Sequence, residues 1–379
     1  MRRSADLQPE RTEEPTWWRD AVFYQVYLRS FADGDADGFG DLAGLRSRLG
    51  YLELVGVDAI RLTGPAPDAA GFDKLVADAR EHSIRIVLDL TDFAEPGADL
   101  GQAMRQWLDR GADGLQIDLG TPEPAGYRLA RQLVDQTPAR MTFGPSAELH
   151  LAANDRLANA EFDADLVRQA IEDSVRPGEP VSWRLSHADA LRQVTRYGGA
   201  EAGLARAKAM TLVLFALPGA VFLYNGEELG LPSVDLPDWA WDNAGRAADR
   251  DLDGSRIPIP WEGEAPPFGF TEARAGWLPM PNEWGPLTVE AQLEDAGSML
   301  SLYRQAIEVR RSHPGFAGDE VEWYGAPPGC FAFRRKGGGL VCALNTSGAL
   351  VPLPEGEILA SSAPLQDGQL PPDASVWLM

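Results

Sequence analysis

Cysteine is nearly absent from this chain: Cys330 and Cys342 are the only two in 379 residues. Two thiols close together near one end exclude a disulfide framework as the source of stability. Basic residues are also scarce. Lys and Arg number 34 against 57 Asp and Glu, a net charge of −23. A chain so acidic repels phosphate backbones and anionic lipid, which speaks against nucleic acid and acidic membranes as partners. Neutral ligands such as sugars are untouched by that argument. Long apolar runs are rare too. The most apolar stretch, AMTLVLFALPGAVFLYNG, approaches the ~20 residues of a membrane span. Pro218 and Gly219 break it in the middle, so it reads as a buried helix, a turn and a buried strand, not a span. The start, MRRSADLQPERTEEPT, has no apolar run behind its basic residues and carries no legible signal peptide. Residues 1–16 read as a disordered tail and the expected location is cytoplasmic.

What the chain does contain is a composition able to build a large core, 44% hydrophobic and 24% charged, and a repeating pattern. Short apolar strands alternate with amphipathic helices: AVFYQVY, VDAIRLT, IRIVLDL, GLQIDL, ARMTFG, AEFDADL, VSWRLS and AVFLYNG each precede a helical pattern. Continuous apolar runs suit strands covered on both faces, as in a parallel sheet. Eight such units predict an α/β fold, a (β/α)8 TIM barrel, over residues 17–314. After Pro314 the pattern changes to EVEWYG, CFAFRRK, LVCALNTS and ASVWLM between Gly, Pro and Ser. That predicts a small antiparallel β-domain over residues 315–379.

In such barrels the chemistry sits at the C-terminal ends of the strands. This picks out Asp89, Asp118, Gly144 and Asp189 after the third, fourth, fifth and seventh strands. Three carboxylates around one mouth admit a glycosidase site, a metal site, or polar caps on the helices that follow.

The opening WWRDAVFYQVYLRSFADGDADGFGDLAGLRSRLGYLELVGVDAI resembles the α-glucosidase branch of glycoside hydrolase family 13, the α-amylase family. LVLFALPGAVFLYNGEELGLPSVDLPD, RIPIPWEGEAPPFGF and WLPMPNEWGPLTVEAQLEDAGSMLSLYRQAI are similar to later segments of it. The resemblance covers nearly everything after residue 16. It implies Asp118 at the nucleophile position and Asp189 at that of the transition-state stabiliser, with Asp89, Gln116 and His187 at substrate-binding positions. The departures are as specific as the matches. Where the family carries Arg two residues before the nucleophile, this chain has Gln116. Where the family's general acid follows Gly at the end of the fifth strand, Pro145 follows Gly144. Phe93 and Ala94 replace the family's Asn and His after the third strand. His187-Ala188-Asp189 replaces Asn-His-Asp after the seventh.

Residues i and i+2 of a strand point the same way. An arginine at 116 would therefore lie beside Asp118 and keep it ionised and aimed, which neutral Gln116 cannot do. Retaining cleavage needs two carboxyl groups flanking the bond, and loss of the acid alone costs on the order of 10² to 10⁴ in rate. Glu148 is the one nearby substitute acid, and it also suits the first turn of the next helix. The segments that usually wall the sugar pocket are missing as well: TGPAPDAAGFDKL and DFAEPGAD run almost directly into helices, so the barrel lacks the family's inserted domain B. The same losses resemble the ectodomain of amino-acid-transporter heavy chains, which keep this fold as an interaction partner.

Two further features stand out. DGDADGFGD sets Asp33, Asp35, Asp37 and Asp41 on a Gly-rich loop, a spacing of oxygen ligands that suits Ca²⁺. The resemblance adds the backbone carbonyl of Phe39 to this structural site, and an empty acidic turn is the other reading. Segment 232–294 carries Trp239, Trp241, Trp261, Trp277 and Trp284. These either stack on sugar or a partner, or pack the excursion onto the barrel. The sequence thus implies a catalytically degenerate α-glucosidase-like protein whose partner is an unidentified protein or a weakly bound α-glucoside. The alternative is a weak or altered retaining α-glucosidase acting through Asp118.

Overall fold

The computed structural model describes residues 16–64, 68–93, 99–120, 124–237, 240 and 254–379. Eight parallel strands form the barrel: β1 (Val22–Tyr27), β2 (Ala59–Thr63), β3 (Arg85–Asp89), β4 (Gly114–Gln116), β5 (Met141–Gly144), β6 (Leu151–Ala152), β7 (Ser182–Arg184) and β8 (Ala220–Tyr224). Their order is β6-β5-β4-β3-β2-β1-β8-β7. The seam between β6 and β7 is closed by side chains: Ser182 Oγ donates to Ala152 O at 2.6 Å, and Asn154 Nδ2 donates to Ser182 O at 3.0 Å.

The helices are α1 (Leu42–Ser47), α2 (Leu49–Val55), α3 (Ala69–Glu81), α4 (Leu90–Phe93), α5 (Leu100–Asp109), α6 (Pro124–Val134), α7 (Arg156–Asn159), α8 (Ala164–Glu172), α9 (Gln193–Arg196) and α10 (Ala200–Ala216), with a later long helix Met299–Ser312. Acidic residues start several of them, as N-caps should. Asp68, Asp99 and Asp163 each accept backbone N–H groups of the first turn. The second half of α10, residues 209–216, is apolar on all sides because it is covered on both. It feeds β8 on one side, and on the other Trp377 Nε1 and Ser375 Oγ donate to Leu212 O and Ala209 O at 2.9 and 2.7 Å. No described helix is long and apolar enough to cross a membrane.

The antiparallel sheet comprises β9 (Glu320–Tyr324), β10 (Cys330–Lys336), β11 (Val341–Asn345), β12 (Ile358–Ser361) and β13 (Ala374–Leu378), in the order β12-β13-β11-β10-β9. Four of these match the strands read from the sequence. The edge strand β12 was not anticipated, because its half-exposed ILAS lacks a buried face and an apolar run.

Two readings of the barrel are corrected. The sixth strand is Leu151–Ala152, not AEFDADL. Asp163 in that stretch instead caps α8, accepting from the N–H groups of Asp165 and Leu166. A strand of two residues is too short for alternation to reveal. Glu148 does not begin a helix either. It lies in the turn between β5 and β6, where its N–H donates to Ser146 Oγ at 3.3 Å. The expected tail lies almost wholly outside the described residues.

Candidate functional site

Parity along the strands decides which side chains enter the barrel. On its floor Phe222 lies between Phe23 and Phe143, with ring centroids 4.4 Å away on either side. One step toward the C-terminal ends the inward side chains become polar: Gln25, Arg61, Asp89, Gln116 and Arg184. The step is abrupt. The Arg61 guanidinium sits 5.6 Å from the Phe143 ring centroid, its charge facing the aromatic floor.

Asp89, the last residue of β3, is buried and does not reach into an open pocket. It accepts from Arg61 Nη2 at 3.0 Å and from Thr91 N–H at 3.1 Å. Asp155, just past β6, is bonded to Arg184 Nε of β7. Burial pushes the Asp155 carboxyl up, but the Arg184 bond and charge outweigh this and hold it below the usual carboxylate range. His187 lies in the same group. Burial, then the Arg184 charge, lowers its pKa to about 4, so the ring is neutral at pH 7. Asp189 is exposed and accepts from Arg256 Nη2 at 2.7 Å.

Gln116 ends β4 with its Oε1 buried and without a hydrogen-bond partner among the described residues. Two residues on, past the strand end, Asp118 is exposed, and its Oδ1 accepts from Gly120 N–H at 2.9 Å. The neighbouring strand end is pressed close. A Cβ at Gly144 would lie 2.2 Å from Ile117 O, so glycine is required there. The next residue, Pro145, is exposed and brings no ionisable group. Glu148 is held by Arg128 of α6 at 3.0 Å. At the mouth, then, Asp89, Asp155 and Asp189 each meet an arginine, while Asp118 meets none among the described residues.

Arg61, Arg184, Asp155 and Arg256 were not singled out from the sequence. The signal was present for two of them, since Arg61 in AIRLT and Arg184 in SWR interrupt otherwise buried strands. Arg256 and Asp155 lie on connections whose approach to the mouth only the fold decides.

The acidic loop brings carboxylate oxygens of Asp33, Asp35 and Asp37 within 4.8 Å of one another. Asp33 also clamps the loop, accepting from the N–H groups of Asp35, Ala36 and Gly38 at 3.1, 2.8 and 2.7 Å and from Thr271 Oγ1 at 2.5 Å. Asp41 stands apart from the three as the N-cap of α1, accepting from Gly44 N–H at 2.6 Å. Among the tryptophans, Trp261, Trp277 and Trp284 are buried. Trp261 Nε1 donates to Phe31 O at 2.8 Å and Trp277 Nε1 to Ser30 Oγ at 3.2 Å. These three pack the excursion onto the barrel. Trp239 and Trp241 lie outside the described residues.

A parallel eight-stranded barrel followed by an antiparallel β-domain, with charged side chains gathered at the C-terminal strand ends, defines a (β/α)8-barrel protein whose functional end is that mouth. The alpha-amylase catalytic domain model matches residues 25–74 and 135–319, more than half of the chain, and the chain belongs to that family. The match skips residues 75–134, which contain Asp89, Gln116 and Asp118. A probable alpha-glucosidase of Rhizobium meliloti (strain 1021) is 24% identical, with 91% of each chain covered, over an alignment of 514 positions. That alignment is longer than this chain, so the relative carries stretches that are absent here. A probable oligo-1,6-glucosidase 3 of Bacillus subtilis (strain 168) is 22% identical over 81% of this chain and 86% of its own. Among solved structures, the alpha-glucosyl transfer enzyme XgtA superposes with a TM-score of 0.79 at 23% identity, covering 96% of this chain and 99% of its own. At that identity the likeness speaks for the fold alone.

Proposed function

We propose that this alpha-amylase-family protein no longer hydrolyses glycosides and acts as a non-hydrolytic binding or interaction protein. The observation that carries this reading is the setting of Asp118. Its strand neighbour Gln116 is neutral, and the residue after Gly144 is Pro145. A retaining mechanism needs a second carboxyl group across the bond from the nucleophile. The available carboxylates are engaged elsewhere: Glu148 by Arg128, Asp189 by Arg256, Asp155 by Arg184 and Asp89 by Arg61. The fold then serves as a scaffold, as in the transporter heavy-chain ectodomains it resembles, with a protein partner or a weakly held α-glucoside at the mouth.

The second reading is a weak retaining α-glucosidase with Asp118 as nucleophile. It draws on the exposure of Asp118, whose one bond among the described residues is to Gly120 N–H. Aryl α-glucosides separate the two, because an activated leaving group needs little help from an acid. No turnover is expected. Turnover that disappears in Asp118→Asn would overturn the proposal.

We also propose that Asp33, Asp35 and Asp37 hold a structural Ca²⁺, with Asp41 and the Phe39 carbonyl nearby. Three carboxylates around one point fit a hard cation. Burial, then the charge of Asp37, pushes the Asp35 carboxyl up, and a divalent ion there would relieve that repulsion.

A further inference from the structure

The end of the barrel opposite the mouth carries a cleft of about 840 Å³, between the starts of β1 and β3, the end of helix Met299–Ser312 and the β-domain. Five arginines line it: Arg19, Arg85, Arg310, Arg311 and Arg335. Against them stand Asp20, Asp58 and Asp319, leaving an excess of two positive charges in a chain whose net charge is −23.

Two of the arginines are buried and fixed in place. Arg310, 9% exposed, donates through Nη1 to Phe215 O and Leu217 O, both at 2.7 Å, and through Nη2 to Gly219 O at 2.5 Å. Arg335, 4% exposed, donates through Nη2 to Gly318 O and through Nη1 to Ala216 O at 3.5 Å. Its Nε is buried without a partner. Every one of these acceptors is a neutral carbonyl. Neither guanidinium makes an ion pair among the described residues, and burial pushes both down to about 10, with the Arg310 charge adding to the effect on Arg335. Buried charges are ordinarily paired. Two of the three carboxylates of the lining are already engaged. Asp20 accepts from Gly219 N–H at 3.3 Å, and Asp58 accepts from Val22 N–H and Arg311 at 2.8 and 2.7 Å. Asp319 makes no side-chain bond among the described residues and lies close enough to Arg335 to affect its charge.

We propose that this cleft binds a phosphorylated small molecule, its dianionic phosphate received by Arg310 and Arg335. The volume suits a ligand of small-molecule size. The carbonyl clamps hold the guanidinium groups in position before the ligand arrives, so little side-chain entropy is lost on binding. The charge excess of the lining matches a phosphate monoester, and the N–H groups of Arg310 and Arg335 that the carbonyls leave over are charge-assisted donors that phosphate oxygens accept. The site lies across the barrel from Asp118 and is independent of what happens at the mouth.

The test is calorimetry on the full chain with inorganic phosphate and pyrophosphate, chloride serving as the control at matched ionic strength. Saturable 1:1 binding of the phosphates and none of chloride is expected. Asp319→Asn removes a like charge that makes no side-chain bond among the described residues and tightens binding several-fold. Arg335→Gln weakens it by about tenfold or more, as loss of a bond to a charged group does, and Arg335→Lys recovers part. Asp118→Asn changes nothing. Absence of saturable binding overturns the proposal, and so does an affinity indifferent to Asp319→Asn, a readout that holds even if Arg335→Gln fails to fold.

Discussion

Arg61 of β2 donates to Asp89 of β3 across 3.0 Å inside the barrel, with 8% and 6% of the two side chains exposed. The pair fixes Asp89 as a partner of the protein's own guanidinium, not of a ligand. Breaking a buried pair costs up to about 3–5 kcal/mol. Asp89→Ala should therefore lower the free energy of unfolding by about that amount, read from urea denaturation. The double variant Arg61→Met, Asp89→Leu should recover much of the loss.

Asp118 offers the contrast. Its carboxylate is exposed and, among the described residues, bonded only to Gly120 N–H. Asp118→Asn is expected to change stability by no more than about 0.5 kcal/mol and to remove no turnover.

The short connections that the sequence implies after the second and third strands would leave sugar hydroxyls in water. Sugar affinity depends on enclosure and on fixed polar partners, and here Asp89, Asp155 and Asp189 already have theirs. Glucose and maltose are expected to bind no tighter than millimolar, about −4 kcal/mol or weaker. Micromolar maltose binding lost in Asp118→Asn would contradict this.

His187 gives the mouth a pH signature. Burial and Arg184 lower its pKa to about 4, against ~6.5 in the unfolded chain. The folded state prefers the neutral ring, so the unfolded state takes up the proton first as pH falls. This contribution to stability is complete above about pH 6.5 and is lost progressively down to about pH 4. His187→Gln should flatten the fall in melting temperature across that window.

Glu227 runs in the opposite sense. Burial raises its pKa to about 7, against the Tyr303 and Ser186 hydroxyls that lower it, and one oxygen accepts from Tyr303 Oη at 2.9 Å. The fold prefers the protonated acid, so stability falls as pH rises from the unfolded value of ~4.3 to about 7. Glu227→Gln should therefore raise the melting temperature more at pH 8 than at pH 5.

The proposed Ca²⁺ is checked without reference to activity. A ligand bound only by the folded state stabilises it, so chelator should lower the melting temperature of the native chain. It should have little effect on the double variant Asp35→Asn, Asp37→Asn. An unchanged melting curve with no metal in elemental analysis would leave an acidic turn.

The sequence by itself determined the strand-and-helix alternation, because buried parallel strands must be apolar and their period differs from that of the covering helices. It also carries the two departures on which the proposed loss of hydrolysis rests: Gln116 and Pro145 stand at positions that the resemblance identifies. It could not reveal β6, two residues long, or β12, whose side chains are half exposed. Only the tertiary structure decided where the remaining charges go. Arg61 meets Asp89, Arg184 meets Asp155 and Arg256 meets Asp189 across 28, 29 and 67 residues of chain. Pairings over such separations are set by strand order and by the direction each side chain points, neither of which a local pattern encodes. The same holds at the far end of the barrel, where Arg310 and Arg335, on a helix and on a strand of the β-domain, reach the carbonyls of one turn between α10 and β8.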